Sequence, residues 1–378
     1  MKLLFVNPSS LSFEVTTPEN APLGGSESCV CYLARQLANN GHDVTLAARL
    51  PEGTPEKVMG VRHRPIAAVR DRGFFDSENF DAIVLNNAAV AAPLMREISP
   101  ASRIALWNHV LADQPSLQCL PQALPALDAV IFVSVWQQKQ TEAAFGAVGR
   151  AFVIGNGLTP AFETMFASPA DLLAAKKNRA VYTSTPFRGL RLLLDIMERR
   201  APDMELDIFS SMKVYQAGDE EHAGLYERAR RISRAHYHGS VSQSELAQRL
   251  RTAAFLSYPC IFPETCCLAA LEAMAAGLKV VTTGCGALAE STMGFADILP
   301  LHPEKSEAHF IAAFADALDR NIAAFKAAPE QWADQRFAEM QEINRHCRWA
   351  VRAQEWEKML AGVIQANPLK AGASAVNG

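Results

Sequence analysis

Apolar residues fall along the chain in short, near-continuous runs, separated by stretches in which they recur at helical spacing. KLLFVN (2–7), DVTLAA (43–48), DAIVLNN (81–87), RIALWNH (103–109), DAVIFVS (128–134) and AFVIGNG (151–157) are such runs. Runs of this kind predict strands buried on both faces, with helices between them. A long polar loop ending in LGGS precedes the first predicted helix, SESCVCYLARQLAN (26–39), with Ser26 placed to cap it and Glu27 in its first turn. Strand, glycine turn, helix and strand open a parallel α/β sheet that continues to about residue 160. The dinucleotide fingerprint GxGxxG is absent. Gly24 and Gly25 either form a plain tight turn or let a backbone approach a phosphate or an acceptor.

The same order begins again at NRAVYTS (178–184) and runs through FRGLRLLLDIMERR (187–200) as helix, MELDIFSS (204–211) as strand, a 223–235 helix, HYHGS (236–240), SQSELAQRLRTA (242–253) as helix and AAFLSYP (253–259) as strand. Two α/β halves predict two domains, at 1–165 and 166–349. Residues 303–366 read as helical, with WAVRAQEWEKMLAGVI carrying apolar residues at helical spacing. The small, polar end of the chain, 367–378, is expected to be disordered. Two segments depart from the regular pattern: the basic stretch RHRPIAAVRDRGFF (62–75) and an irregular loop at 110–122.

The chain is organised around PETCCLAALEAMAAG (263–277), which predicts a short buried helix opened by Pro263 and closed by Gly277. Two charges interrupt it. On one helix Glu272 would lie about 80° round from Glu264 and about 12 Å further along, so both carboxylates could look into one cleft. The amides of Thr265, Cys266 and Cys267, with the positive end of the helix dipole, would receive an anion such as a diphosphate. Carboxylates only accept hydrogen bonds and suit diols at either end of that anion. The layout fits a nucleotide sugar.

Composition narrows the classes. With 378 residues, 49% hydrophobic and 20% charged, the chain is globular, and its net charge of −4 argues against a nucleic-acid partner. No apolar run approaches a membrane span, and MKLLFVNPSS lacks the features of a signal peptide, so the expected compartment is the cytoplasm. The eight cysteines have no metal-ligand spacing and are expected to be reduced; Cys266 and Cys267, at the helix start, are expected to be the most thiol-reactive. No D-x-D pair occurs. Metal-independent chemistry is therefore expected, with neither a metal nor another cofactor.

The run FLSYPCIFPETCCLAALEAMAAGLKVVTTGCGALAES resembles the donor-binding segment of retaining GT-B glycosyltransferases of the glycosyltransferase 4 (group 1) type, with its E-x7-E pair, EAMA-x-G helix end and following glycine turn. The resemblance implies two Rossmann-like domains facing a cleft, with the last helix, about 350–366, crossing back to the first domain. It implies that a hexose passes from a nucleoside diphosphate sugar, of UDP or GDP type, to a glycan or glycolipid hydroxyl. Glu264 would hold the hexose, Glu272 the ribose, and His109 in WNHV the sugar. Arg188-Gly189 matches the family's lysine-glycine pair, but the arginine expected upstream is replaced around Tyr182 to Ser184. Diphosphate binding must then lean more on the hydroxyls of Thr183 or Ser184 and on backbone amides. Rival readings are a non-catalytic GT-B scaffold and a GT-B sugar-nucleotide epimerase. Peripheral contact with an anionic membrane through 62–75 is a further expectation.

Overall fold

A computed structural model describes residues 1–200, 202–302 and 304–366. The chain forms two compact units, one of Met1–Val15, Cys29–Gly155 and the described residues from Arg352, the other of Thr16–Ser28 and Asn156–Val351.

The first unit is built on an eight-stranded sheet. Its strands are β1 (Lys2–Val6), β2 (Asp43–Ala48), β3 (Lys57–Val58), β4 (Val61–Pro65), β5 (Ala82–Asn86), β6 (Arg103–Asn108), β7 (Ala129–Phe132) and β8 (Ala151–Val153), in the order β3-β4-β2-β1-β5-β6-β7-β8. All pairs are parallel except β3 with β4. Leu4, Val6, Ile83, Leu85, Ile104, Leu106, Val130 and Phe132 fill the core on one face. The alternate residues Leu3, Phe5, Val84 and Trp107 are also buried. Burial on both faces is the reason these strands read as continuous apolar runs. The helix α1 (Gly25–Asn39) follows β1 after a polar connection.

The second unit carries six parallel strands, β9 (Lys177–Tyr182), β10 (Glu205–Phe209), β11 (Ala235–Gly239), β12 (Ala253–Tyr258), β13 (Lys279–Thr283) and β14 (Asp297–Leu299). Their order is β11-β10-β9-β12-β13-β14, so the chain winds outward one way from β9 and the other way from β12. Helices α2 (Leu190–Arg200), α3 (Leu268–Ala275), α4 (Glu307–Ala327) and α5 (Pro329–Cys347) belong to this unit. The C-terminal helix α6 (Trp349–Gln365) returns to the first unit, where Trp356 meets Trp107 edge-on at 4.8 Å between ring centres.

Four expectations need correction. The helix predicted from Pro263 starts only at Leu268, because Glu264 is engaged in a backbone bridge to Gly286 that holds residues 263–267 as a loop. Glu264 and Glu272 therefore do not share a helix. Ser26 does not cap α1, which already includes Gly25; its hydroxyl donates to Glu27 instead. The basic stretch 62–75 is regular structure, comprising β4, the 3₁₀ turn Ile66–Arg70 and most of the helix Arg72–Glu78. Residues 110–122 likewise contain a 3₁₀ turn, Pro115–Leu117, and the start of a short helix, Leu120–Ala123. The tail at 367–378 lies outside the described residues.

Candidate functional site

Open parallel sheets bind ligands beyond the carboxyl ends of their strands, where the winding direction reverses. In the second unit that point lies between β9 and β12. The loops leaving these two strands carry Thr183, Ser184 and Arg188 on one side and Pro259 to Glu264 on the other.

Glycines bring the two loops together. Gly189 has φ +131° and sits so close to the Pro259 carbonyl that a Cβ would lie 2.2 Å from its oxygen. The Ile261 amide donates to the Arg188 carbonyl at 3.2 Å. Gly286, at φ +68°, leaves room for the backbone of Glu264, whose N and O would be 2.4 Å from an added Cβ. The Ala287 amide then donates to the Glu264 carbonyl at 2.7 Å. A side chain at either glycine would be strained by φ and would collide with main chain.

Glu264 is thereby buried at the centre of a polar network. Arg188 Nη1 donates to both of its oxygens at 2.9 Å, and the Tyr258 hydroxyl donates to Oε1 at 2.5 Å. Arg188 Nη2 donates to the Tyr215 oxygen at 3.2 Å, and the guanidinium lies 4.3 Å from the ring centre of Phe262. Burial works against the charge of Arg188, but Glu264 outweighs it and holds the guanidinium above its ordinary range. Burial and the adjacent Glu264 carboxylate keep the Tyr258 phenol protonated. Because Tyr258 spends its proton on Glu264, Ser184, 3.2 Å away, must donate to the Tyr258 oxygen. Ser184 can then only accept from anything else. The Thr183 hydroxyl and Arg188 Nε are buried without a hydrogen-bond partner among the described residues.

The other predicted residues are more scattered. Glu272 lies inside α3, 4% exposed, and accepts from Thr159 Oγ1 at 2.7 Å; burial raises its carboxyl to about 7. Thr265 and Cys266 are half-buried in the loop before α3, whereas Cys267 is buried at the helix start and its amide donates to Ser291 Oγ at 3.0 Å. The three amides thus do not form one free cradle, and burial raises the Cys267 thiol rather than lowering it. Gly24 and Gly25 group with this second unit, and a Cβ on Gly25 would come within 3.0 Å of Leu268 at the start of α3. His109 follows the last residue of β6 in the first unit. Its amide donates to Asn87 Oδ1 at 2.7 Å, its ring lies 4.4 Å from that of Trp107, and burial holds its pKa down at about 3. It is a neutral imidazole at ordinary pH.

Tyr215, Tyr258 and Phe262 escape the sequence reading. Tyr258 and Phe262 lie within the strand and loop that lead to Glu264, and a tyrosine at a strand's carboxyl end is a signal that could have been weighed. Tyr215 belongs to a turn after β10 and has no comparable signal.

Two parallel α/β units, with a charged site at the switch point of the second and a last helix returning to the first, define the GT-B class of protein. Solved structures of that class match nearly the whole chain. A sucrose-phosphate synthase from Thermosynechococcus elongatus aligns with a TM-score of 0.75 at 17% identity, over 97% of this chain and 100% of that one. A glycosyltransferase from Rickettsia africae gives 0.72 at 13%, over 97% and 99%. Anabaena HepE in complex with UDP and glucose gives 0.67 at 15%, over 96% and 100%. No curated protein sequence matches significantly. Family models for Glycosyltransferase Family 4 and for Glycosyl transferases group 1 match residues 23–162 and 180–320. The chain belongs to the group 1, family 4 glycosyltransferases.

Proposed function

We propose that this glycosyltransferase is a retaining enzyme that moves a hexose from a nucleoside diphosphate sugar, of UDP or GDP type, to a hydroxyl of a glycan or glycolipid. The observation that carries the reading is the ion pair of half-buried Arg188 with buried Glu264 at the switch point between β9 and β12. Arg188 holds the leaving diphosphate, Glu264 accepts hydrogen bonds from the hexose, Glu272 accepts them from the ribose, and neutral His109 contacts the sugar. Amides of Thr265 and Cys266, the turn at Gly24 and Gly25, and the Thr183 hydroxyl line the remaining donor surface.

Both carboxylates are engaged, so neither is free to act as base or nucleophile. The bond from the anomeric carbon to the diphosphate breaks as the bond to the acceptor oxygen forms on the same face, and the acceptor's proton passes to the departing diphosphate. The arginine supplies charge stabilisation without a metal ion. A non-catalytic binding role is the second reading, favoured by the neutralisation of Arg188 by Glu264. Diphosphate release from a panel of nucleotide sugars tests the proposal. Release dependent on an acceptor supports transfer, binding without release supports a scaffold, and an altered sugar formed without acceptor indicates an epimerase.

A further inference from the structure

The family resemblance leads one to expect two cations for a diphosphate, and this site offers one, already shared with Glu264. Ser184 cannot supply a compensating donor, because its proton is spent on Tyr258. The Thr183 hydroxyl keeps an unspent proton, and the network around Arg188 holds one more. Tyr215 is half-buried and accepts a hydrogen bond from Arg188 Nη2 at 3.2 Å. Its own proton is given to no group among the described residues.

We propose that Tyr215 is a further ligand of the donor site, its oxygen steadying Arg188 and its proton donated to a diphosphate oxygen of the donor. The inference rests on the donor-site reading above. A hydroxyl is both donor and acceptor, so one phenol can do both at once. Tyr215 ends the 3₁₀ turn Met212–Tyr215, directly after β10, the strand beside β9. The turn is held from below. Asp219 accepts from the Met212 amide at 2.7 Å, from the Ser211 hydroxyl at 2.6 Å and from Tyr226 at 3.1 Å, and the Lys213 amide donates to Ser211 at 3.0 Å. Gln216, at φ +52°, turns the chain away immediately afterwards. The ring is thus fixed before any ligand arrives, so little ordering cost attends the new hydrogen bond. Burial raises the phenol's pKa even against the pull of Arg188, and keeps it a donor at neutral pH.

Titration calorimetry of the full chain and of Tyr215→Phe with UDP, GDP and ADP, and with UMP, GMP and AMP, tests the assignment. The variant loses one oxygen and should keep the melting temperature of the unaltered chain. Affinity for the preferred diphosphate should fall about tenfold, as for loss of one charge-assisted hydrogen bond, while the matching monophosphate changes less than about twofold. Tyr215→Gln, which returns a donor, should recover part of the diphosphate affinity. Unchanged diphosphate binding in Tyr215→Phe, an equal loss for both nucleotides, or a fall in melting temperature that accounts for the loss would overturn the proposal. If the unaltered chain binds no nucleoside diphosphate, the donor-site reading itself fails, and this assignment with it.

Discussion

One nitrogen of Arg188, Nη1, serves both carboxylate oxygens of Glu264 at 2.9 Å, in a pair whose side chains are 21% and 6% exposed. The pair is structural and, in the proposed reaction, chemical. Removing the half-buried arginine strands the buried Glu264 carboxylate, and the low end of the roughly 3–5 kcal/mol for breaking a buried pair applies. Arg188→Ala should therefore lower stability by about 3 kcal/mol as well as activity by a hundredfold or more, the range for loss of a charge stabiliser. The double variant Arg188→Met, Glu264→Gln separates the two effects: in chemical denaturation it should regain most of the stability, and it should remain inactive.

Gly286 and Glu264 make a second testable contact. Gly286→Ala places a methyl 2.4 Å from the Glu264 backbone at φ +68°. The bridge between them should break, at a cost of at least about 2 kcal/mol, with loss of donor-site binding. A variant with wild-type melting and nucleotide affinity would show that the bridge does not position Glu264.

Glu272 gives a pH signature. Its carboxyl is raised by burial from 4.5 to about 7 in the folded chain, against the pull of the Thr159 hydrogen bond. A raised folded pKa means that the stability contribution is fully present below pH about 4.5 and is lost as pH climbs through 7. Glu272→Gln should remove that slope, worth up to about 3 kcal/mol across the window, as read by denaturation at pH 5 and pH 8. If Glu272 also holds the ribose, Glu272→Ala weakens the free nucleotide by about 1.5–3 kcal/mol, while Glu264→Ala chiefly lowers turnover. Equal effects of the two on free nucleotide would mean that the ends of the donor have been assigned wrongly.

The stereochemical prediction is an α-linked product from an α-linked donor, at a rate that a chelator leaves nearly intact. Proton NMR of the purified product reads the anomeric coupling. A β linkage overturns the same-face transfer; full inactivation by chelator, reversed by magnesium or manganese, overturns the metal-free stabilisation.

The basic segment 62–75 is expected to give no anionic-lipid dependence. Arg62 pairs with Asp43 and Glu78, Arg64 with Glu56 and Arg72 with Glu97, and Phe75 is 4% exposed against Phe74 and Phe80. Three of its four arginines are already paired, Arg70 being the exception among the described residues, and one of its two aromatic rings is in the core. Vesicle co-sedimentation should therefore be insensitive to anionic lipid and to charge reversal of Arg70; a clear dependence would restore the membrane role.

The sequence by itself determined the two α/β halves, because strands buried on both faces must be apolar throughout, and β1, β2, β5 and β6 could be read almost to the residue. It also determined that Glu264 and Glu272 stand out, since charges inside an apolar run are conspicuous whatever the fold, whereas Arg188 was singled out by its place at a strand-to-helix turn and by the family resemblance. It misread β4, whose polar residues look like a loop because three of its five are basic or imidazole side chains with partners elsewhere in the fold. Only the tertiary structure decided that Glu264 stands outside the helix: the bridge to Gly286 is a contact between loops distant in sequence, and it outweighs the local preference of Pro263 to open a helix. The same holds for Tyr215 and Tyr258. Nothing in local periodicity reports which hydroxyl spends its proton on which carboxylate, because a hydrogen-bond network is settled by distances between elements that only the packed sheet fixes.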